Sequence, residues 1–419
     1  MFHELMLKVH ALTPISMGGY DQQIEHRING QQILEPPRPT SIRGVWRWWI
    51  RAFAAGVAFD IGLDEVSAAI EVAHELLGSA GRDGESKRSE FQIVTTGPAA
   101  RAIDLSEESR YRGIARIKLL RGARCTAYDS GYSFSIRVRS LCKNEEKVRA
   151  GFSTIICSLL LSGVGKMSRR GFGSLSIDVD SSLDAFRKKW RAIVSDATNL
   201  RDAEAIKRGI KEAIDETRET IRPLIRRLKP SRRRAEDRAI LPRVCSVAEK
   251  PVEKMRGLVP AEVYFAVWEG DALAALKRIN DLCTRASYGS IPCKLLKLSR
   301  PREAAEPARV KKHPVCILGL PRKVGYTGYE ILDRSVLRRA NPVVFKILAS
   351  GDGRTCVVAT TLVSSDWPNA LKWRGGRGSP VKIDLDEDKI ADVMEEVRKH
   401  LGQYEFKEAW PDGKGLNLK

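Results

Sequence analysis

A glycine–arginine stretch limits what this chain can fold into: Gly163-Val164-Gly165-Lys166-Met167-Ser168-Arg169-Arg170-Gly171-Phe172-Gly173. An apolar run with helical spacing, Phe152 to Leu161, precedes it. A strand-like run follows, in which Leu175, Ile177 and Val179 alternate with Ser and Asp. The stretch therefore joins a helix to a strand, yet it is longer than the few residues that such a turn usually takes. Two Gly-x-Gly pairs bracket Lys166, Arg169 and Arg170. Glycine admits positive φ and the close approach of another backbone. Free N–H groups beside guanidiniums suit phosphate oxygens. A nucleotide P-loop is excluded, because that motif needs Gly and Ser or Thr where Leu160 and Met167 stand, and it leads into a helix. Two readings remain: a basic connector, or a clamp on a nucleic-acid backbone at Gly163, Gly165, Lys166, Arg169, Arg170, Gly171 and Gly173.

Charge favours the clamp. The 419 residues carry a formal net charge of +20, which speaks to partners rather than to fold. Nucleic acid is the leading candidate and an anionic membrane surface the second. No apolar run approaches the ~18 residues that a bilayer span needs. The first ten residues lack the pattern of a secretory leader, so a cytoplasmic protein is expected. No two of the eight cysteines have Cys-x-x-Cys spacing, which argues against a zinc ribbon or redox motif and for reduced core residues. His74-Glu75 begins like a zinc-protease helix, but Gly78 stands at the second ligand position. No cofactor or metal is expected.

Along the chain, Leu5, Leu7, Val9 and Ala11 alternate as a first strand that ends at Thr13-Pro14. Gly18-Gly19 makes a turn, and the polar stretch from Asp21 to Gln32 is an extended loop or hairpin. After Pro36-Pro37-Arg38-Pro39, Thr40 or Ser41 can cap a helix. In that helix Ile42, Trp46, Trp49, Phe53 and Val57 form one apolar stripe, with Arg43, Arg47 and Arg51 beside it and Trp48 outside it. Arg38, the three stripe arginines and Trp48 are candidate RNA contacts, since arginine bonds phosphate and tryptophan stacks on bases. A second helix follows at 65–77, then strands at 91–96, 114–120 and 132–140, a helix at 146–161 and a strand at 174–179. Without its insertions this is the βαββαβ, ferredoxin-like order shared with RNA-recognition domains, although their aromatic strand signature is missing.

Residues 181–240 change to charge and helix formers, and the basic stretch 222–243 reads either as part of a solvated helical bridge with a mobile arm or as an arm that adds phosphate contacts. A mixed α/β pattern returns over 241–419, with strands expected at 263–268 and 315–318. A helix is expected over 271–286, a hairpin at Gly351-Asp352-Gly353, a polar loop from Lys372 to Pro380 and a final amphipathic helix over 384–401. The fold class is therefore α+β: two ferredoxin-like domains, 1–180 and 241–419, with the helical basic insertion 181–240 between them.

These motifs resemble those of RAMP-superfamily CRISPR proteins. The carriers are Thr13-Pro14 with Gly18-Gly19, Ser41-Ile42-Arg43-Gly44 leading into a Trp-rich helix, and the Gly163 to Gly173 loop. Leu318-Gly319-Leu320-Pro321 and Arg338-Arg339-Ala340-Asn341-Pro342 look most like the first subunit of the type III-B (Cmr) effector complex. The resemblance implies a non-catalytic RNA-binding subunit that holds crRNA or target RNA near the crRNA 3′ end, with other protein subunits as partners. It adds Arg338 and Arg339 to the candidate contacts. Asn341 departs from the small residue expected there. Two other readings compete. A metal-independent endoribonuclease would draw on His10, His26, Asp21 or Tyr20. A DNA- or membrane-surface protein would rest on charge alone.

Overall fold

Alternation in the first strand sets the layers. The computed structural model describes residues 2–17, 25–28, 31–34, 36–80, 86–98, 102–114, 117, 126–232, 241–252, 258–282, 322–324, 327–331, 342–365, 371–374, 381–383 and 387–411. Strand β1 (Glu4–Ala11) buries Leu5, Leu7, Val9 and Ala11 on one side and leaves Lys8 and His10 exposed on the other. The hairpin β2 (Glu25–Ile28) and β3 (Gln31–Leu34) follows, then α1 (Pro39–Asp60) and α2 (Glu65–Leu77). Next come β4 (Phe91–Thr96), the short pair β5 (Ala102–Asp104) and β6 (Thr126–Tyr128), β7 (Ser133–Ser140), α3 (Glu145–Leu161) and β8 (Leu175–Ser181). The sheet is antiparallel in the order β4-β7-β1-β8. Its register sets Leu7 opposite both Ile136 and Val179, so apolar side chains line one face across three strands.

Local chemistry explains the helices. Pro39 opens α1, where its missing N–H costs nothing; Arg38, rather than Thr40 or Ser41, holds the cap position. Ile42, Trp46, Trp49, Phe53 and Val57 are all buried. The indole N–H groups of Trp46 and Trp49 donate to Thr154 Oγ1 and Ser162 Oγ, each at 2.8 Å, so neither is left unpaired. Asp64 caps α2 by accepting from the Ser67 N–H at 3.2 Å. The strand expected at 114–120 does not form where that segment is described. A 3-10 turn at Ser109–Tyr111 instead sends Ile114 into a cluster with Leu105 and Tyr111.

The helical insertion is part of the core, not a solvated bridge. Helix α4 (Asp184–Ala197) packs on α5 (Ala203–Leu228), and α5 buries Ile206, Ile210, Ile214, Ile221, Leu224 and Ile225 along one stripe. Gly209 marks the crossing, since a Cβ there would lie 2.2 Å from the Ala197 nitrogen. On the same stripe Arg218 is buried and bonds Asp60 Oδ2 of α1 at 2.8 Å. Asp60 also accepts from the N–H groups of Glu249 and Lys250, both at 3.1 Å. Residues 233–240 of the expected basic arm lie outside the described residues; Arg243 pairs with Asp64 and Glu65.

The second sheet repeats the connectivity of the first. It is built from β9 (Ala261–Glu269), α6 (Ala272–Leu282), β12 (Val343–Gly351), β13 (Arg354–Leu362), α7 (Glu387–Gln403) and β16 (Lys407–Trp410). Its order, β12-β13-β9-β16, is again second, third, first, fourth. A separate four-stranded sheet, β10 (Arg322–Val324), β11 (Thr327–Ile331), β14 (Leu371–Arg374) and β15 (Val381–Ile383), is inserted into it. The expected loop at 372–380 therefore begins as a strand, and the strand expected at 315–318 lies outside the described residues. The expected hairpin forms, with Asp352 at φ 51° and Gly353 at φ 70°. Strands β12 and β13 are buried at nearly every position because both faces are covered. Leu348, Cys356 and Val358 join the first core, whereas Phe345, Ile347 and Val357 join the second.

The Arg218–Asp60 pair gives the fold its first prediction. Arg218→Ala leaves a buried carboxylate without its charge partner and should lower unfolding free energy by about 3–5 kcal/mol in denaturant titration. A loss under about 1 kcal/mol would show that the pair is dispensable.

Candidate nucleic-acid interface

The glycine loop is closed on itself before it can meet anything else. The Val164 N–H donates to Gly173 O at 2.9 Å, and Gly163 lies so close to the other limb that a Cβ would sit 2.2 Å from Phe172 O. Gly173, at φ +63°, leaves only 1.8 Å between a Cβ and Val164 O, so no other residue fits there. A Cβ on Gly165, at φ +84°, would lie 2.4 Å from Ser16 O, and the next N–H, of Lys166, donates to that carbonyl at 2.7 Å. The Gly173 N–H reaches Pro14 O at 2.9 Å. Positive φ and close approach are both present as the sequence implies, but the backbone being approached is the chain's own.

The far limb of the loop joins the two sheets. The Phe345 N–H of β12 donates to Arg169 O at 3.1 Å, and the Gly171 N–H donates to Phe345 O at 3.2 Å, a parallel bridge through Arg170. Thr13 Oγ1 donates to Gly171 O at 2.7 Å and accepts from the Ser174 N–H at 2.9 Å. Ser174 Oγ then accepts from the Ile347 N–H at 3.0 Å. Phe172 is buried in the second core, and a Cβ on Gly171 would meet Ile279 and Leu276 of α6. Lys346, fully buried on β12, donates from Nζ to Leu175 O of β8 at 2.8 Å, and burial holds its ammonium pKa well below the usual lysine value. Arg170 is only 7% exposed, drawn inward with the bridge, and Gly171 lies against α6.

What the loop leaves accessible is its tip. Lys166, Met167, Ser168 and Arg169 are half-buried, with Met167 at φ 59° in the turn. The Arg169 guanidinium lies 4.7 Å from the centre of the Trp48 ring, so loop tip and first helix meet at one cation–π contact. Trp48 also meets Trp49 edge-on, with centroids 5.0 Å apart, which fixes the ring. Among the arginines of α1, Arg51 is exposed and Arg38 is half-buried. Arg43 and Arg47 are partly engaged with the C-terminus of α2: Arg43 Nη2 donates to Leu77 O at 2.6 Å, and Arg47 donates to Leu77 O at 2.7 Å and to Gly78 O at 2.9 Å. These are the carbonyls that a helix end leaves unpaired. Arg43, Arg47 and Arg51 also crowd one another. Burial first, then the charges of Arg43 and Arg51, lowers the Arg47 pKa; burial, then Arg47, Arg51 and Lys87, lowers that of His74. The result is a cationic surface in which an anion would relieve repulsion.

Other candidates fall elsewhere. Arg338, Arg339, Tyr20 and Asp21 lie outside the described residues, and His26 is placed only as a member of β2. His10 lies on the open face of the first sheet, its Nδ1 2.9 Å from Ser133 Oγ, in a cavity of about 750 Å³ that Lys8 and Asp178 also line. Among the described residues no group of His, Cys, Asp or Glu could hold a metal ion, and no helix is long and apolar enough to cross a membrane. Cys157 and Cys356 are buried, with thiol pKa values pushed up to about 12 by burial. Sequence reasoning missed Phe172, Ser174 and Lys346 as the joint; the apolar Phe172 between two glycines was the available signal.

Two measurements check this geometry. The folded protein holds Lys346 with a lower proton affinity than the unfolded chain does, so the unfolded state binds the extra proton. Stability should therefore rise with pH from the depressed folded pKa up to the unfolded value of about 10.4. Lys346→Met should flatten that rise in denaturant midpoints taken across pH; an unchanged profile would mean that Lys346 is not the source. For the tip, Arg169→Ala and Trp48→Ala should each weaken RNA binding, and the double variant should lose less than the two losses added together. Strict additivity in the cycle would show that the two residues act apart.

Residues 8–176, from β1 through the glycine loop into β8, match the family model of the RAMP superfamily. The CRISPR system Cmr subunit Cmr1-2 of Pyrococcus furiosus is 24% identical over 198 residues, covering 42% of this chain and 96% of that protein. The crystal structure of Cmr1 from Pyrococcus furiosus, apo form, matches with a TM-score of 0.53 at 19% identity, over 98% of this chain and 99% of that one. A chain in the cryo-EM structure of the Type III-B Cmr-beta bound to cognate target RNA gives 0.56 at 13% identity, over 96% and 100%. At these identities the structural matches bear on the fold alone. The chain carries a RAMP-superfamily segment over residues 8–176, and it is similar in sequence to Cmr1-2 and in fold to Cmr1.

Proposed function

We propose that this chain is a non-catalytic RNA-binding subunit of a type III-B CRISPR effector complex, holding crRNA or target RNA near the crRNA 3′ end in antiviral defence. Its partners are that RNA and the other protein subunits, in the cytoplasm. The observation that carries the reading is the Arg169–Trp48 contact beside Arg51: a half-buried ring and guanidinium at the edge of a cationic helix face, in a chain of net charge +20. Such a pair can stack on a base and bond a phosphate together. The similarity to Cmr1 subunits supports the same reading. We read the sheets β4-β7-β1-β8 and β12-β13-β9-β16 as the centres of two ferredoxin-like units, 1–180 and 241–419, with 181–240 as the helical element packed between them.

One observation keeps a second reading in play. His10 shares its cavity with Lys8 and Asp178, groups that a metal-independent endoribonuclease could use. Single-stranded RNA separates the two. The purified protein should bind it with little sequence preference and with a log–log salt slope of roughly 0.7 per phosphate contact. In chelator, the RNA should stay intact. Flat affinity from low to high salt would remove the binding reading. Cleavage without metal that His10→Ala abolishes would establish the ribonuclease.

A further inference from the structure

The repeated connectivity brings the same two elements together in each half. In the first half, the loop before the last strand, β8, carries Arg169, whose guanidinium lies over Trp48 of α1, the helix after the first strand. In the second half, the corresponding elements are the turn before β16 and the helix α6. There the parts are exchanged: the helix supplies the cation, Arg278, and the turn supplies the ring, Tyr404. The Arg278 guanidinium lies 4.3 Å from the centre of the Trp268 ring of β9 and 5.7 Å from that of Tyr404. The turn is well fixed. The N–H groups of Tyr404 and Phe406 both donate to Leu401 O, at 3.0 and 3.2 Å, and Glu405 turns the chain at φ 65°. The Trp268 indole N–H donates to Tyr404 O at 3.1 Å, and His400 meets the Tyr404 ring edge-on with centroids 5.0 Å apart.

The polar edge of Arg278 is left over by this packing. The buried arginines are committed, Arg218 to Asp60 and Arg398 to both oxygens of Glu262. Arg278 makes no hydrogen bond among the described residues. Its ion pair is with Glu405, at 3.9 Å, a carboxylate whose side chain is 75% exposed; exposed pairs of this kind contribute little. The Arg278 side chain is itself 41% exposed, and Tyr404 is half-buried. Covering Trp268 alone would need only an aliphatic side chain, whereas a guanidinium brings five N–H donors.

We propose that Arg278 and Tyr404 form a second contact for single-stranded RNA, the counterpart in the second half of Arg169 and Trp48. The inference rests on the RNA-binding reading above and adds a site remote in sequence from the glycine loop. The ligand is one nucleotide of an extended strand. Its base packs against the Tyr404 ring and the guanidinium, both of which stack on bases of any sequence. The free N–H edge of Arg278 takes the adjoining phosphate, for which a guanidinium is a bidentate donor. Holding that guanidinium over Trp268 orders it before RNA arrives, so less freedom is lost on binding.

The test compares the full chain with its Arg278→Met and Tyr404→Leu variants on a uridine oligonucleotide across salt. Methionine keeps Trp268 covered and removes the cation. Arg278→Met should weaken binding about tenfold at moderate salt and make the log–log slope shallower by about 0.7, the share of one phosphate on a single strand. Tyr404→Leu should weaken binding about tenfold and leave the slope unchanged. If the unaltered protein binds steeply and both variants match it in affinity and slope, this site is refuted while the RNA-binding reading stands. If the unaltered protein does not bind, both fall. Should the variants fail to fold, photo-crosslinking of the unaltered protein to an oligonucleotide carrying iodouridine decides. A crosslinked peptide containing Tyr404 supports the proposal, and crosslinks confined to other peptides overturn it.

Discussion

The structure depends on one short piece of parallel pairing, in which Arg169 O and the Gly171 N–H clasp Phe345 of β12. It ties the loop between α3 and β8 to an edge strand of the second sheet, and it brings Thr13, Ser174 and Lys346 into one set of hydrogen bonds with buried partners. An edge strand offers unpaired backbone groups, and covering them removes a site of nonspecific association. Here the glycine loop is the cover. Its glycines are explained by the close approach this demands, and Phe172 anchors the contact in the second core.

The same constraint divides the cations of the loop into two kinds. Arg170 is drawn inward with the bridge, whereas Lys166 and Arg169 are carried to the tip, where Arg169 meets Trp48. A comparable division holds elsewhere. Arg218 and Arg398 are sunk against Asp60 and Glu262 and serve the fold. The α1 arginines crowd one another nearer the surface, with Arg43 and Arg47 turned to the last carbonyls of α2 and Arg51 exposed. In a chain of net charge +20, the buried pairs consume acid that would otherwise screen the surface.

Much of the fold was legible because its signals are local. Alternation found β1, β7 and β8, the Ile42-to-Val57 stripe found α1, and Gly351-Asp352-Gly353 found the hairpin. The errors have physical causes. The isoleucines of α5 are spaced at four and seven residues inside a strongly charged segment, so composition hid an apolar stripe. Of the segment 114–120 only Ile114 and Ile117 are described, and both enter the second core as single apolar side chains after the Ser109–Tyr111 turn, not as a paired strand. The site was legible as residue types, not as roles. A Gly-x-Gly loop with arginines reads alike whether its backbone meets a phosphate or β12, because the partner lies some 175 residues further on. The pairing of Arg169 with Trp48 was likewise beyond reach, although both residues had been singled out for RNA.

The measurement that bears most directly on this account is amide hydrogen exchange at Gly171 and Phe345, with and without RNA. If the loop is the joint, both amides are protected in the RNA-free protein as strongly as those of Leu7 and Val9 in β1, and RNA changes them little. If they exchange like an exposed loop and gain protection only when RNA is bound, the glycine loop is an RNA clamp after all, and the joint described here is contradicted.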